Sequence, residues 1–209
     1  MREFKHLILI QKKLKKYIVL EDKVKKLELI GAADISYQDI WAKVCVCTLE
    51  MRSLKIEEKI ILNKKVKFPY YSGYLMFREG PLILEAIERL RNFPDCFLFD
   101  GNGLLHPQNM GLATFLGIML RVPTIGCAKT LLLGNYTKPD VLRGSFSYIR
   151  YRRRILGIAL RTRTDVKEIF VSCGWGVTLK KAKDIVLEVS KFRIPEPLRV
   201  AHHCSKFYD

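Results

Sequence analysis

Three acidic residues stand where solubility does not explain a carboxylate. Asp34 lies inside the apolar run Leu29-Ile30-Gly31-Ala32-Ala33-Asp34-Ile35. An unpaired buried carboxylate costs several kcal/mol, so it needs a partner or a cation. A turn-capping role is the plainer alternative for Asp34, and Asp39 is a nearby competitor that ranks behind it. Asp100 closes the run Cys96-Phe97-Leu98-Phe99 and precedes Gly101-Asn102-Gly103. Those glycines allow close backbone approach to a ligand, and an Asx turn at a strand end is the alternative. Glu79 falls at the mouth of a helix expected to start near Gly80, where an acid is favoured in any case. Together the three make an oxygen-rich set that suits Mg²⁺ or Mn²⁺ better than zinc.

The net charge narrows what such a set would act on. Lys and Arg number 37 against 21 Asp and Glu, a net +16. A domain this basic attracts polyanions, nucleic acid foremost, unless the charge serves solubility alone. A carboxylate cluster in a basic domain points to phosphodiester hydrolysis, where metal ions stabilise the attacking and leaving oxygens. Lys129, after Thr124-Ile125-Gly126-Cys127-Ala128, is placed to reach a phosphate or to be a solvated strand-end lysine. Phe68-Pro69-Tyr70-Tyr71-Ser72-Gly73-Tyr74 follows Lys64, Lys65 and Lys67. Rigid aromatics beside lysines suit stacking on a base or wedging into a duplex, with packing over a sheet edge as the alternative. Arg150-Tyr151-Arg152-Arg153-Arg154, with Arg161 and Arg163, reads as a basic hairpin-like region suited to backbone phosphates or to plain solvation. Of the four histidines, His6 reads as a surface residue and His106 as a helix cap or pocket residue. His202 and His203 lie near the C-terminus.

These residues need elements to hold them. Apolar spacing predicts a basic amphipathic helix over Leu7–Leu20. Strands are expected at Leu27–Ile35, Trp41–Met51 and Lys55–Leu62, with short turns that make an antiparallel meander. Helix and strand then alternate: helix Gly80–Asn92, strand Cys96–Phe99, helix Met110–Leu120, strand Thr124–Ala128. Further strands at Ile155–Arg161 and Glu168–Ser172 precede a closing helix at Leu179–Lys191. The result is an α/β fold, a mixed sheet flanked by helices, with the acids at strand ends where sites usually form. No linker or repeat divides residues 1–209, so one domain is expected. No apolar run reaches the roughly 18 residues of a membrane span, and no secretory signal opens the chain. The expectation is a cytoplasmic protein without membrane association. Six cysteines without a C-x-x-C pair argue against a zinc site or a disulfide framework, and Cys45 and Cys47 should face one side of a sheet.

Several strings together resemble the endonuclease V family. They are Asp100-Gly101-Asn102-Gly103-Leu104-Leu105-His106-Pro107, Gly111-Leu112-Ala113, and Pro123-Thr124-Ile125-Gly126-Cys127-Ala128-Lys129. Phe68-Pro69-Tyr70, Gly73-Tyr74-Leu75, Phe77-Arg78-Glu79 and Pro195-Glu196-Pro197-Leu198-Arg199-Val200-Ala201-His202 complete the set, in the family's order over roughly residues 25–205. The resemblance implies a ribonuclease-H-like fold and metal-dependent cleavage of DNA at deaminated purines, chiefly deoxyinosine. The cut is at the second phosphodiester on the 3′ side and leaves a 3′-hydroxyl and a 5′-phosphate. It implies that Asp34, Glu79 and Asp100 hold Mg²⁺, with Mn²⁺ as substitute, that His202 lies near them and that Lys129 lies by the scissile phosphate. Tyr70 would be the wedge. Gly73, Leu75, Gly101, Gly103, His106 and Ile125 would form the base pocket.

The partner so implied is double- or single-stranded DNA containing deoxyinosine, with inosine RNA as a second substrate, acted on by a monomer. Tyr71-Ser72 replaces the usual aliphatic residue and second proline, Gly31-Ala32-Ala33-Asp34 is looser than Gly-x-Asp, and His203 adjoins His202. The competing readings are a related nuclease acting on inosine RNA or branched DNA, and a nucleic-acid-binding protein without catalysis. The last would tolerate Asp34→Ala and Asp100→Ala.

Overall fold

The computed structural model describes residues 4–206. One eight-stranded sheet runs through it in the order β3-β2-β1-β4-β5-β8-β7-β6. Strands β1 (Leu29–Gln38), β2 (Trp41–Glu50) and β3 (Ile56–Lys65) form the expected antiparallel meander. Strands β4 (Cys96–Asp100) and β5 (Thr124–Ala128) then add in parallel to β1. Their near-continuous apolar sequences fit strands buried on both faces. A second antiparallel set follows, β6 (Phe146–Tyr151), β7 (Arg154–Leu160) and β8 (Ile169–Trp175), with β8 pairing against β5.

Two apolar layers clamp this sheet. On one face α2 (Leu75–Ile87) and α3 (Leu112–Leu120) pack Ile83, Ala86, Ile87 and Leu116 against Val44, Val46, Phe97 and Phe99. On the other, α4 (Leu179–Glu188) and α5 (Glu196–Ser205) pack Ile185, Val186, Leu198 and Ala201 against Ile30, Ala32, Cys47 and Leu98. Phe97 and Phe99 are fully buried and stack at 5.5 Å, each contributing about 1.5–3 kcal/mol of apolar burial. Alternation along β2 sends Cys45 and Cys47 to one face, as expected, and all six cysteines are free thiols. No helix among the described residues is long and apolar enough to cross a membrane.

Five elements differ from expectation. Helix α1 covers only Lys5–Leu14 before a short 3₁₀ turn, Lys15–Tyr17, and it buries Leu7 and Gln11 rather than the Ile10–Tyr17 stripe. Helix α2 starts at Leu75 and continues through Pro81, so Glu79 sits in its interior and not at its mouth. The Gly80-Pro81 pair that reads as a helix start is tolerated inside one. Strand β1 runs on to Gln38, which leaves Asp34 in mid-strand. Helix α5 and strand β6 were not expected. The Pro195/Pro197 punctuation hides the first, and the second is an edge strand in which only Ile149 is buried.

Candidate active site

The register explains how Asp34 and Asp100 come together. Strands β1 and β4 pair in parallel from Ile30↔Cys96 to Ala33↔Phe99, and pairing stops there. The next residue on each strand is an aspartate, so the two stand at one level where the strands part. By alternation both follow the Ala32/Leu98 face, which α5 covers. Glu79 approaches from α2, on the other layer.

Each carboxylate meets a donor of its own. Asp34 Oδ2 accepts from Ser205 Oγ at 2.6 Å and lies 3.0 Å from His202 Nδ1. Both donors come from α5 at spacing i, i+3, so one helix face serves one carboxylate. Ser36 Oγ lies 3.0 Å from Ser205 Oγ and extends this chain. His203, the neighbour that sequence leaves as an alternative, lines an exposed groove together with His202, Cys204 and Lys206. Asp100 Oδ2 is 2.5 Å from Lys129 Nζ, which leaves the end of β5. Glu79 Oε1 accepts from Tyr37 Oη at 2.9 Å, and the Arg78 guanidinium sits 4.2 Å over the Tyr37 ring. Loss of solvent, then the charges of Asp34 and Asp100, push the Glu79 carboxyl up to about 7, against the Tyr37 hydrogen bond and Arg78. The three acids thus feel one another, yet among the described residues no three such side chains are gathered into a metal-holding group. Tyr37, Ser36 and Ser205 join the group through contacts that no local motif announces. The spacing Asp34, Ser36 on one strand face and His202, Ser205 on one helix face is the pattern that points to two of them.

A pocket of about 100 Å³ opens beside this group, at the Gly101-Asn102 turn that follows Asp100. Four expected residues line it: Gly73, Leu75, Gly101 and His106. Tyr70 lies at its edge, 68% exposed, while Tyr71 packs on Phe4 and Phe68. The aromatic string therefore divides into one free ring and a packed remainder. Two expected residues are absent from the wall. Ile125 is fully buried in the core, and Gly103 is pressed against the backbone of β8 at Cys173. Tyr71, Asn102, Met110 and Leu112 line the pocket in addition. Arg161 is likewise no phosphate contact, because it is buried against Glu168 and the Asp140 carbonyl.

His106 holds the pocket rim. Its Nδ1 accepts from Gln108 N at 3.2 Å, which leaves the proton on Nε2 to donate to Gly73 O at 3.1 Å. Burial lowers its pKa to about 4, against the Gly73 hydrogen bond and with help from the Lys15 charge. The unfolded chain binds this proton below about pH 6.5 and the folded chain only below about 4. Stability should therefore be lost as pH falls from 6.5 to 4, by about 2–3 kcal/mol at pH 4.5. Denaturant titrations at pH 7.5 and 4.5 should show this loss in the wild type and a flatter dependence in His106→Asn. Equal dependence in both would contradict the assignment.

Comparison with known proteins settles the lineage. The family model described as Endonuclease V matches residues 12–203. The endonuclease V of Dictyoglomus turgidum is 44% identical over 206 residues, covering 98% of this chain and 90% of that protein. The chain belongs to the endonuclease V family. It is accordingly an endonuclease of DNA, and its mixed sheet is the ribonuclease-H-like one the resemblance implies. The crystal structure of the Streptomyces avermitilis endonuclease V superposes with a TM-score of 0.91 at 31% identity, covering 96% of this chain and 91% of that one. The Ciona intestinalis endonuclease V, crystallised with a 24mer DNA containing an inosine followed by a ribo-adenosine, superposes at 0.86 with 28% identity. There the coverage is 98% of this chain and 97% of that one.

Proposed function

We propose that this member of the endonuclease V family cuts DNA at deoxyinosine, hydrolysing the second phosphodiester 3′ of the lesion to leave a 3′-hydroxyl and a 5′-phosphate. It acts as one nuclease domain, a monomer in the cytoplasm, and Mg²⁺ is its cation with Mn²⁺ as substitute. One observation carries the reading: the pocket and the carboxylate group meet at the Asp100-Gly101 turn. A base seated there has its own strand beside the carboxylates.

The residues present suit a hard divalent cation. The donor set is all oxygen, and Asp34 and Asp100 are each held by a donor, Ser205 with His202 for the first and Lys129 for the second. Burial raises the Glu79 carboxyl first and the charges of Asp34 and Asp100 add to it, a repulsion of the kind a cation relieves. Asp34, Glu79 and Asp100 would hold the ion, which when bound lowers the pKa of water and stabilises charge on the leaving oxygen. Tyr37 fixes the Glu79 carboxyl, and His202 with Ser205 fixes that of Asp34. Lys129 stands beside Asp100 as a cation for the scissile phosphate.

Extruding a base costs a few kcal/mol, least for a mispaired one. Tyr70, exposed at the pocket's edge, fills the gap that extrusion leaves. The neutral His106, with its ring nitrogens engaged by Gln108 N and Gly73 O, fixes the pocket wall, and the backbone along Ser72-Gly73 and Gly101-Asn102 faces a purine edge. A base with a different donor pattern leaves a backbone group unpaired, which supplies discrimination. Single-turnover rates on three matched substrates test the reading: a deoxyinosine duplex, its undamaged counterpart and an inosine RNA. The deoxyinosine duplex should be cut fastest. Faster cutting of the RNA would keep the site and replace the substrate, and binding without cutting any of them would remove the enzyme.

A further inference from the structure

The basic run Arg150-Tyr151-Arg152-Arg153-Arg154 has no part in the site above, and its backbone is unusual. It makes the β6–β7 turn, with Tyr151 paired to Arg154, and both central residues have positive φ, 47° at Arg152 and 63° at Arg153. A two-residue turn of this kind favours Asn-Gly, and a side chain with a Cβ is disfavoured at both positions. Two arginines are nevertheless held out at the tip of the hairpin, exposed together with Arg154.

A second basic element meets this tip. Lys12, Lys13, Lys15 and Lys16 lie at the end of α1 and in the 3₁₀ turn after it, and no acid occurs from Lys5 to Leu20 or from Val141 to Thr164. The hairpin packs Ile149, Leu156 and Tyr151 with Leu105, next to His106, and Gln11 of α1 shares the Gly73 carbonyl with His106, so both basic elements flank one loop. The Lys15 ammonium is lowered by partial burial and then by the charges of Lys12 and Arg154. None of these side chains takes part in the ion pairs of the described residues. Helix α1 is also tied to the pocket. Its buried Gln11 donates to Gly73 O at 3.1 Å and to Met110 O at 3.4 Å. The pocket thus adjoins Asp100 through Gly101 and the basic convergence through Gly73 and His106.

We propose that Lys12, Lys15 and the Arg152–Arg154 turn form a phosphate-binding site that holds the strand on the 5′ side of the extruded base. This rests on the lesion-endonuclease reading, because a cut 3′ of the lesion sends the 3′ arm of the strand past the carboxylates. The 5′ arm then leaves the pocket by His106 and Lys15. Uncompensated cations there release counterions when phosphates bind, and guanidinium groups pair with phosphate in bidentate fashion.

The test is the salt dependence of binding, measured by fluorescence anisotropy in EDTA so that nothing is cut. Arg152→Asn/Arg153→Gly gives the turn its preferred residues, so it folds while losing both charges. Lys12→Ala/Lys15→Ala removes the other half. Each should weaken binding several-fold and lower the slope of log K against log salt by about 1–2, since each phosphate contact contributes about 0.9 on a duplex. The effect should persist when the 3′ flank of an inosine oligonucleotide is shortened and vanish when the 5′ flank is. Lys180→Ala/Lys191→Ala loses the same charge elsewhere and should keep the wild-type slope.

Unchanged slopes in the first two variants, an equal change in the control, or dependence on the 3′ flank would overturn the site. So would loss of binding to phosphatidylglycerol vesicles with no change on DNA. A reduced slope on undamaged DNA in a protein that cuts no inosine substrate would instead retain the phosphate site and remove the lesion reading.

Discussion

Asp100→Ala should lower the single-turnover cleavage rate on the order of 10³-fold or more while the protein still folds and binds lesion DNA. The expectation follows from where the side chain stands. Asp100 is the last residue of β4, its side chain is 28% exposed, and its carboxylate is paired with Lys129. Truncating it opens no core cavity, and losing a partly exposed ion pair costs under about 1 kcal/mol. The loss in rate has no such limit. Asp100 is the carboxylate that adjoins both the pocket turn and Lys129, so its removal takes a proposed cation ligand and frees the lysine together. Binding should hold or tighten, because a negative charge leaves a nucleic-acid surface. Cleavage within tenfold of wild type would mean that Asp100 is not part of the machinery.

Gly103→Ala should act in the opposite way, through stability. The family resemblance assigns Gly103 to the base pocket, but its neighbours are backbone. A Cβ there would run into the Cys173 carbonyl and stand 3.0 Å from Gly174 N. The loop cannot back away. Gly103 N donates to Ser172 Oγ at 2.9 Å, Leu104 N to Cys173 O at 2.7 Å, and Gly111 N to Gly103 O at 3.1 Å. An added methyl against pinned backbone should cost about 3 kcal/mol, a fall of roughly 6–12 °C in Tm for a chain of this size. Gly73→Ala makes the contrast: its φ of 83° is unfavourable, but its Cβ would meet only His106 Nε2, at 3.6 Å. A cost of about 1 kcal/mol is expected there. Calorimetry on both variants decides whether Gly103 supports the fold. A Tm unchanged in Gly103→Ala would return it to the pocket.

Much of this arrangement was legible in the residues, for physical reasons that can be named. The lone acid in the apolar Asp34 run and the acid closing Cys96–Phe99 both marked themselves by the cost of burying charge. Parallel register, which no local pattern states, then set them side by side. Glu79 lies inside its helix and not at the mouth, because Gly80-Pro81 looks like a helix start while the helix is held from Leu75 by Met76 and Ile83 in the core. Tyr37 and Ser205 were missed because their meaning lies in contacts across 42 and 171 positions of chain. Ile125 shows the converse error. A motif residue beside a site reads as part of it, whereas alternation along a strand buried on both faces points its side chain into the core.

The central claim is that the carboxylates at the sheet's end cut the strand whose base occupies the neighbouring pocket. Its most direct test is one end-labelled duplex carrying a single deoxyinosine, incubated with Mg²⁺ or with EDTA and resolved at nucleotide resolution. The expected product is one nick at the second phosphodiester 3′ of the lesion, with a ligatable 5′-phosphate downstream, and none in EDTA. A nick elsewhere, cutting in EDTA, or equal cutting of the undamaged duplex would contradict the account.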